Sequence, residues 1–474
     1  MGKFKLDTVI YLMINLKSEK IFISPLISKD INSEYLNNLN DSEYMQFSRH
    51  HISKYDFNKQ KKYLETFNSF NSWILGVREQ IDSPLIGTLT LLFDFRKFTV
   101  NIEFLVFKAY SGKGFATHTL KTVLEFIELN YPDFTLIIET QTANKSMKNV
   151  ALKNGFSLEK EFNSKGVSYQ KYTKNILSHT FNYQPKIPEL LKYADSIGIA
   201  VNDAGGAEQV RSLISRIDKT FFILCSGPAK KIINQVQNNY RYVNSHLELR
   251  NCDLIITGSG WMSELENDVL RFCDSNNIPS LTILDHWINY RSRFFRGETA
   301  TPSMLAVTNH VALDLAKEEY PKKPIWLLPD YHLESFLEYI NLKNHKNNIL
   351  ILLEPNTNSS ENFTVNLSKV IDLIEIACQM KELGKFENVV IRNHPSGNYD
   401  QTIIDRLKLK YSYLYLSKNS DLKEDIQSAR RVLGFNTYGL YISAMCGVET
   451  QSYYAGVTGH WTSYFPKIKP LNLG

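Results

Sequence analysis

Short, continuous apolar runs separated by helical segments fill the chain after residue 189, and they occur in two series. The first series lies at 196–201, 221–225, 254–257 and 280–284, and the second at 348–353, 389–392, 413–416 and 432–435. Strands that are apolar on both faces and alternate with helices are typical of parallel sheets covered by helices on both sides. Two such series in tandem predict two doubly wound, Rossmann-like lobes with a cleft between them.

The region before residue 177 has a different pattern, in which several strands follow one another directly. Strands are predicted at 22–26, 73–77, 85–93, 100–107, 134–139 and 169–172, and helices at 28–39, 117–129 and 146–154. This pattern predicts a mixed sheet with helices. The α/β chain is therefore divided into an N-terminal domain (1–177), a linker (178–188) that contains Pro185 and Pro188, a leading lobe (189–335) and a trailing lobe (336–474).

Composition excludes several classes of function. The chain has 474 residues, a formal net charge of +5 and 22% charged residues without a Lys/Arg stripe, which argues against a nucleic-acid partner. No apolar run approaches the roughly 18 residues of a membrane span, and the N-terminus lacks the pattern of a signal peptide. The five cysteines are scattered without metal-ligand spacing, which favours reduced thiols in a cytoplasmic protein.

A glycine-rich segment, AYSGKGFATHTL at 109–120, follows the predicted strand at 100–107. It is not a P-loop, because Gly114 stands where Ser or Thr would follow Lys113, and it lacks the third glycine of a dinucleotide fingerprint. Glycines before a helix nevertheless let backbone N–H groups approach an anion. The segment therefore predicts an anion-binding loop.

The segment 106–117 resembles the acyl-CoA loop of the GNAT acetyltransferases, in the branch of ribosomal-protein and aminosugar acetyltransferases. Asn144, followed by Gly155-Phe156, is similar to a later motif of that family, and 21–26 is similar to its opening strand. The resemblance implies that the strand ending at Val106 diverges from its neighbour and pairs with the pantetheine arm of acetyl-CoA, the cofactor. The residues implied in acetyl-CoA binding are Val106, Ser111, Gly112, Lys113, Gly114, Phe115, Ala116, Thr117 and Asn144.

Two positions depart from the family pattern. Ser111 stands where Arg or Gln is frequent, which predicts one weaker phosphate contact, and Ala151 stands where many members carry a tyrosine as general acid. Direct attack of a neutral amine on the thioester is therefore expected, with a base acting directly or through water. Glu103 is the candidate base; the alternative is an outward-facing strand carboxylate without a catalytic role.

The two predicted lobes resemble GT-B glycosyltransferases and nucleotide-sugar 2-epimerases. Ligands of open α/β sheets bind beyond the carboxyl ends of the strands, where three loops of the leading lobe lie. Asp203, Asp285 and His286 are the candidate acid/base residues; alternatively, Asp285 and His286 cap a turn, or His286 donates to a backbone carbonyl. The candidate substrate-binding residues of this lobe are Gly205, Gly206, Glu208 and Gly258.

In the trailing lobe, the segment Arg392-Asn393-His394-Pro395 resembles an Arg-x-His-Pro motif of capsule and sialic-acid-type transferases. Arg392 and His394 are expected to donate to a nucleotide phosphate; the alternative is a surface ion pair and a cap. Asn436, Thr437 and Glu449 resemble the loop–helix unit that binds donor phosphates in that family. No Asp-x-Asp-like pair stands in a suitable place, so no metal is expected.

These features together predict a bifunctional enzyme of bacterial surface-glycan synthesis. The N-terminal domain would acetylate an aminosugar, and the C-terminal half would transfer a nucleotide-activated sugar, with nonulosonic acids as one possibility, to a glycan acceptor. The alternatives are a UDP-sugar hydrolase or epimerase, and a non-catalytic binding module attached to a protein N-acetyltransferase. A homo-oligomer is compatible with each of these functions.

Overall fold

The computed structural model contains three sheets in succession along the chain. It describes residues 14–48, 54–68, 70–176, 183–236, 239–260, 263–290, 293–294, 301–354, 365–395, 401–457 and 460–471. The linker predicted at 178–188 is therefore described only from Tyr183 onward. No helix within these ranges is both long and apolar enough to cross a membrane.

The first sheet has eight strands in the order β1-β2-β3-β4-β5-β6-β8-β7. The strands are β1 (Leu16–Lys17), β2 (Phe22–Pro25), β3 (Ser72–Arg78), β4 (Leu85–Asp94), β5 (Thr99–Val106), β6 (Thr135–Gln141), β7 (Ser157–Ser164) and β8 (Val167–Asn175). Four helices accompany this sheet: α1 (Ser33–Asn40), α2 (Phe57–Leu64), α3 (Phe115–Asn130) and α4 (Lys145–Lys153). The helix predicted at 28–39 begins later than expected because Asn32 caps α1 by accepting a hydrogen bond from Tyr35 N.

All strand pairs in this sheet are antiparallel except β5–β6, which is parallel. The helix α3 follows β5 and forms the connection to β6. Its residues Leu120, Val123, Leu124 and Ile127 recur at helical spacing and are all buried in the core. The parallel pair therefore depends on a crossover helix with one apolar face.

The second and third sheets are parallel throughout. The second contains β9 (Ile197–Val201), β10 (Phe221–Cys225), β11 (Tyr240–Tyr242), β12 (Leu254–Thr257), β13 (Ser280–Ile283), β14 (Met304–Val307) and β15 (Ile325–Leu327). The third contains β16 (Asn348–Leu352), β17 (Val389–Arg392), β18 (Leu414–Leu416), β19 (Ala429–Gly434), β20 (Glu449–Ser452) and β21 (Ile468–Pro470).

In each of these two sheets, the first strand along the chain lies in the interior of the sheet, and later strands are added on both sides of it. The orders are β11-β10-β9-β12-β13-β14-β15 and β18-β17-β16-β19-β20-β21. The strand order therefore reverses beside β9 and beside β16, and ligands of open α/β sheets bind at such points, beyond the carboxyl ends of the strands.

Ten helices accompany these two sheets within the described residues. They are α5 (Glu189–Tyr193), α6 (Ala204–Ile214), α7 (Ala229–Ile233), α8 (Leu265–Asn276), α9 (His310–Glu319), α10 (Tyr331–Tyr339), α11 (Leu367–Met380), α12 (Gln401–Lys410), α13 (Leu422–Gln427) and α14 (Tyr438–Met445). The boundary predicted at 335/336 falls inside α10. Asp330 caps this helix by accepting from Leu333 N, and the connection between the two sheets follows it at 340–347.

The first and second sheets share one hydrophobic core. Trp73 of β3 packs on Tyr193 of α5 with ring centroids 4.7 Å apart, and Trp326 of β15 donates its indole N–H to the Asn130 carbonyl at 3.0 Å. Arg96 contacts Asn277 and forms an ion pair with Asp274 at 2.5 Å. The N-terminal domain is therefore packed firmly against the leading lobe.

Candidate functional site

The strand β5 has an open edge at its carboxyl end. The β5–β6 ladder contains the pairs Thr99–Thr135, Val100–Leu136 and Asn101–Ile137, although both strands continue, to Val106 and Gln141. The other edge of β5 stays paired with β4 as far as Val106. Residues 102–106 thus lie beside a gap, as expected from the sequence for a strand that diverges from its neighbour.

The direction of the backbone groups in this gap follows from the β4–β5 ladder. Phe107 N donates to Ile86 O at 2.8 Å, toward β4. Backbone groups of successive residues in a strand point to opposite edges, so the N–H and C=O of Val106 point into the gap, as do those of Phe104. An extended amide chain could pair with these groups as an added strand.

The glycine loop lies between this open edge and α3. Gly112 and Gly114 have φ values of +76° and +85°, and a Cβ atom at either position would have no atom within 4 Å. Gly114 is the N-cap residue of α3 and has no side chain to cap the helix. The first N–H groups of α3, from Phe115, Ala116 and Thr117, therefore point into open space, where an anion could accept them.

Other predicted residues of this region have defined surroundings. Ser111 and Lys113 are exposed on the loop, and the Lys113 ammonium lies 5.6 Å from the centroid of the Tyr110 ring. Asn144 is the N-cap of α4: its Oδ1 accepts from Met147 N at 3.1 Å, so only its amide N–H₂ can donate to a ligand. Ala151 is completely buried in the core, which leaves no catalytic group at that position.

Glu103 is exposed on β5, one residue beyond the last core position of the strand. Its cross-strand partner is Thr90 of β4, and Tyr63 of α2 lies close to both residues, since Glu103 raises the pKa of that phenol after the larger effect of burial. The face that carries Glu103 is thus bordered by α2. A carboxylate in this position is accessible to an amine bound beside the gap.

A second candidate site lies where the carboxyl ends of the second and third sheets face each other. We call it the interlobe crevice and define it by Asp203 after β9, His286 after β13, His394 after β17 and Asn436 after β19. His286 Nε2 lies 3.0 Å from Asn436 O, and Asp203 lies close enough to His394 to raise its pKa against the larger effect of burial, which lowers it to about 4. The structure therefore brings predicted residues of both lobes together.

His286 is held as a structural contact between the lobes. Its Nδ1 accepts from Trp287 N at 3.0 Å, so its Nε2 carries the proton that is donated to Asn436 O. Burial and the nearby Arg293 lower the pKa of His286 to about 4, although Asp285 raises it. With both ring nitrogens occupied, His286 has no lone pair available for a proton; the prediction that it acts as a base does not fit this arrangement, whereas the alternative of a carbonyl contact does.

Asp285 is also occupied. Its Oδ1 accepts from Ser259 Oγ at 2.8 Å and from an Arg293 guanidinium nitrogen at 2.6 Å. Burial is the largest single effect and would raise the pKa of Asp285, but Arg293, Ser259 and His286 together outweigh burial and hold that pKa below its usual value. Arg293, which the sequence analysis did not select, makes this carboxylate part of a buried ion pair rather than an acid/base group.

The glycines predicted to bind substrate are required for close packing instead. A Cβ at Gly205 would lie 2.3 Å from an Asp285 carboxylate oxygen, and a Cβ at Gly206 would lie 3.1 Å from the Cα of Gly258. The start of α6 can therefore approach the loops after β12 and β13 only without side chains. Glu208 accepts from Arg211 at 2.7 Å on the same helix, which satisfies its carboxylate.

Two charged residues predicted to bind the nucleotide-sugar are engaged by protein groups. Arg392 donates to the buried Asp425 carboxylate at 2.5 Å and to the carbonyls of Asn419 and Ser420. Glu449 forms an ion pair with Arg431. It is the first residue of β20 and so lies at the amino ends of the strands, whereas the crevice lies at their carboxyl ends. The structure does not bring either residue to the crevice as a ligand-binding group.

The start of α14 already interacts with a carboxylate. Asn436 N donates to Glu354 Oε1 at 2.9 Å, and Thr437 N also donates to this carboxylate. Thr437 Oγ1 accepts from Gly439 N at 3.3 Å, and Asn436 Oδ1 contacts His460 Nε2. Burial raises the pKa of Glu354 to about 7, because the two N–H groups only partly offset the loss of water.

Glu266 is a second buried carboxyl group that sequence analysis missed. Its Oε1 accepts from Asn202 N at 2.7 Å, and a Cβ at Gly260 would lie 2.9 Å both from this oxygen and from the Asp203 carboxyl carbon. Burial raises the pKa of Glu266 to about 7, and Asp203 adds to this effect. The alternation of strands and helices gives no signal for this residue, because Glu266 lies in the first turn of α8.

Trp287 and Tyr290, two aromatic residues that follow His286 in the same loop, belong to the core. Trp287 stacks on Tyr438 and Trp461 of the trailing lobe with ring centroids 5.4 and 4.8 Å apart. These rings therefore join the two lobes instead of lining a ligand site. Among the described residues, no group of three or more His, Cys, Asp or Glu side chains is arranged to hold a metal ion.

Comparison with known proteins identifies the first region. Residues 20–157 match the acetyltransferase (GNAT) domain family. No curated protein matches the chain.

Three solved structures are similar to the N-terminal part of the chain. The microcin C7 self-immunity acetyltransferase, in complex with acetyl-CoA and AMP, has 17% identity over 33% of this chain and 93% of its own, with a TM-score of 0.31. A ribosomal L7/L12 α-N-protein acetyltransferase in complex with coenzyme A is 12% identical over 35% of this chain and 99% of its own, with a TM-score of 0.31. Spermidine N-acetyltransferase from Vibrio cholerae, in complex with CoA and spermine, is 15% identical over 33% of this chain and 96% of its own, with a TM-score of 0.29.

Proposed function

We propose that this chain, whose residues 20–157 form an acetyltransferase (GNAT) domain, transfers an acetyl group from acetyl-CoA to the amine of a small molecule. The observation that carries the proposal is the open edge of β5, which leads directly into the glycine loop and the uncapped start of α3. The open edge offers backbone partners for the pantetheine amides, and the loop offers N–H groups for the pyrophosphate.

The residues present support direct attack by the amine. The neutral amine nitrogen attacks the thioester carbonyl, the C–S bond breaks, and the thiolate of coenzyme A leaves and takes up a proton from water. Glu103 accepts the proton that the nitrogen loses, directly or through one water. Backbone N–H groups along the gap stabilise the negative charge that develops on the carbonyl oxygen.

Calorimetric titration with acetyl-CoA tests this proposal with a matched pair of variants. Gly114→Asp places a carboxylate beside the expected pyrophosphate. Gly166→Asp, in the β7–β8 turn, is the control, because it places the same side chain at a similarly unfavourable φ of +80° away from the loop. We expect Gly114→Asp to weaken binding roughly a hundredfold, since one unit charge about 5 Å away contributes about 3 kcal/mol near a surface. Equal affinities of the two variants would refute the proposed loop.

For the C-terminal half, we propose that the interlobe crevice binds a nucleotide-activated sugar, as in GT-B enzymes. The facing carboxyl ends of two parallel sheets, with Asp203 and His394 on opposite sides, support this proposal. Asp203, whose Oδ1 accepts from Asn202 Nδ2 at 2.8 Å, is the candidate acid/base group of this crevice, because the arrangement of Asp285 and His286 does not fit that role. An aminosugar acceptor for the acetyl group would then connect both halves to surface-glycan synthesis, including that of nonulosonic acids.

A ligand screen separates this proposal from its alternatives. CMP-, UDP-, GDP- and dTDP-sugars are scored by the rise in unfolding temperature of the wild-type chain and of Asp203→Asn. Release of free sugar or an isomer from a UDP-sugar without acceptor would instead indicate a hydrolase or epimerase. Acetylation of peptides but not of aminosugars, with no response to any nucleotide-sugar, would indicate a protein acetyltransferase with a non-catalytic C-terminal half.

A further inference from the structure

The open edge of β5 is in contact with a side chain from another part of the domain. Tyr44, in the short 3₁₀ turn Tyr44–Phe47 after α1, donates its hydroxyl to the Val106 carbonyl. As derived above from the β4–β5 ladder, this carbonyl points into the gap. The phenol thus occupies a backbone acceptor on the edge that faces away from β4.

The segment that carries Tyr44 is tied to the same strand by charge. The Asp41 carboxylate accepts from Tyr44 N at 2.9 Å and forms an ion pair with Lys108 Nζ at 3.0 Å. Lys108 follows β5 by two residues and leads into the glycine loop. The contacts of Tyr44 with Val106 and of Asp41 with Lys108 therefore hold the segment 41–47 along the carboxyl end of β5.

We propose that Tyr44 is a positioning residue of the acetyl-CoA edge: it holds the Val106 carbonyl while the gap is empty and yields it to an amide N–H of the pantetheine arm. This inference rests on the proposed function, because it concerns the same edge. The arm, added as a strand, needs N–H and C=O partners on alternate residues, and Val106 carries one such pair. Binding of the carrier must then displace the phenol and loosen the segment 41–47.

The proposal has two consequences of opposite direction. Removing the Tyr44 hydroxyl deletes a contact of the ligand-free protein and lowers its stability, yet it also removes a competitor for the Val106 carbonyl. A hydroxyl with only a packing role would change stability without improving affinity. The signs of the two effects therefore distinguish a competing contact from a structural one.

The test compares Tyr44→Phe with Tyr35→Phe in the full-length chain. Tyr35 is a suitable control because its buried hydroxyl donates to Gln60 Oε1 at 3.2 Å in the same region but does not contact β5 backbone groups in the gap. We expect both variants to lower the ligand-free unfolding temperature by about 2 °C. Tyr44→Phe should bind coenzyme A about three to ten times more tightly than the wild type, the factor of one neutral hydrogen bond.

Titration calorimetry with coenzyme A gives the affinities, and steady-state kinetics give KM for acetyl-CoA and kcat separately. Tighter binding and a lower KM for Tyr44→Phe, with an unchanged affinity for Tyr35→Phe, support the proposal. Unchanged or weaker binding of coenzyme A by Tyr44→Phe overturns it while the acetyl-CoA assignment stands. Failure of the wild-type chain to bind coenzyme A overturns both.

Discussion

At the scale of single residues, the same side chain has a different role depending on what fills its hydrogen-bonding positions. Asp285 and His286 are adjacent and lie at the end of a strand, which in sequence favours acid/base chemistry. In the fold, Arg293 and Ser259 bind the carboxylate, and Trp287 N and Asn436 O bind both imidazole nitrogens. Glu266 and Glu354, which the sequence does not single out, are instead the carboxyl groups whose pKa burial raises to about 7.

Glu266 provides a test of this view through the pH dependence of stability. Burial raises the pKa of Glu266 from 4.5 to about 7, so the folded state disfavours the ionised form. Because the pKa of Glu266 is raised in the folded state, the contribution of this residue to stability is highest below pH 4.5 and falls as the pH rises to 7. The free energy of unfolding of Glu266→Gln minus that of the wild type should increase by about 2 to 3 kcal/mol when the pH is raised from 5 to 8.

Urea unfolding of both proteins at pH 5 and pH 8 measures this difference. Glu338→Gln, on the exposed face of α10, serves as the control that removes a carboxylate at the surface. A wild-type-to-variant difference that is the same at both pH values would show that Glu266 is ionised in the folded protein across this range.

At the scale of elements, the two edges of β5 have different partners. One edge pairs with β4 over eight residue pairs, and the other pairs with β6 over three and then opens. Sequence predicted the strand and the helix that follows it, because apolar residues mark both. It did not predict β7, whose residues are nearly all exposed and polar, since an edge strand of this kind has no buried face to impose alternation.

Proline substitutions in β5 distinguish its two edges. Leu105→Pro removes an N–H that points toward β4 and should destabilise the domain by about 3 kcal/mol or more. Val106→Pro removes an N–H that points into the gap, so it should cost less stability but weaken coenzyme A binding at least tenfold, by loss of a backbone partner. Thermal unfolding and calorimetric titration of each variant provide the measurement; similar stability losses would show that Val106 N–H is part of the sheet.

At the scale of the whole molecule, the acetyltransferase domain is not a separable attachment. Its core is continuous with that of the leading lobe through Trp73, Tyr131, Tyr193 and Trp326. The leading and trailing lobes are joined in turn by Trp287, which is packed among Tyr438, Tyr441 and Trp461. Ligand binding in one part is therefore expected to stabilise its neighbours.

Differential scanning calorimetry of the intact chain tests this coupling. Acetyl-CoA at a hundred times its Kd should stabilise the folded state by about 2.7 kcal/mol. We expect the calorimetric transition that moves to higher temperature to have the combined unfolding enthalpy of the N-terminal domain and the leading lobe, because separating them would expose the shared aromatic core. A shifted peak with only the enthalpy of an isolated domain of that size would contradict the coupling.

Sequence by itself determined the alternation of buried strands with helices and the position of the glycine loop. These features depend on local patterns: buried strands are apolar, and only glycine tolerates φ near +80° without strain, as at Gly112 and Gly114. Tertiary structure decided which polar residues are available to a ligand, because Arg392, Asp285 and Glu449 each meet an oppositely charged partner that lies on a different element of the fold. A charge that is paired in the fold and a charge that is free look identical in sequence, since pairing depends on distances that only the packed chain sets.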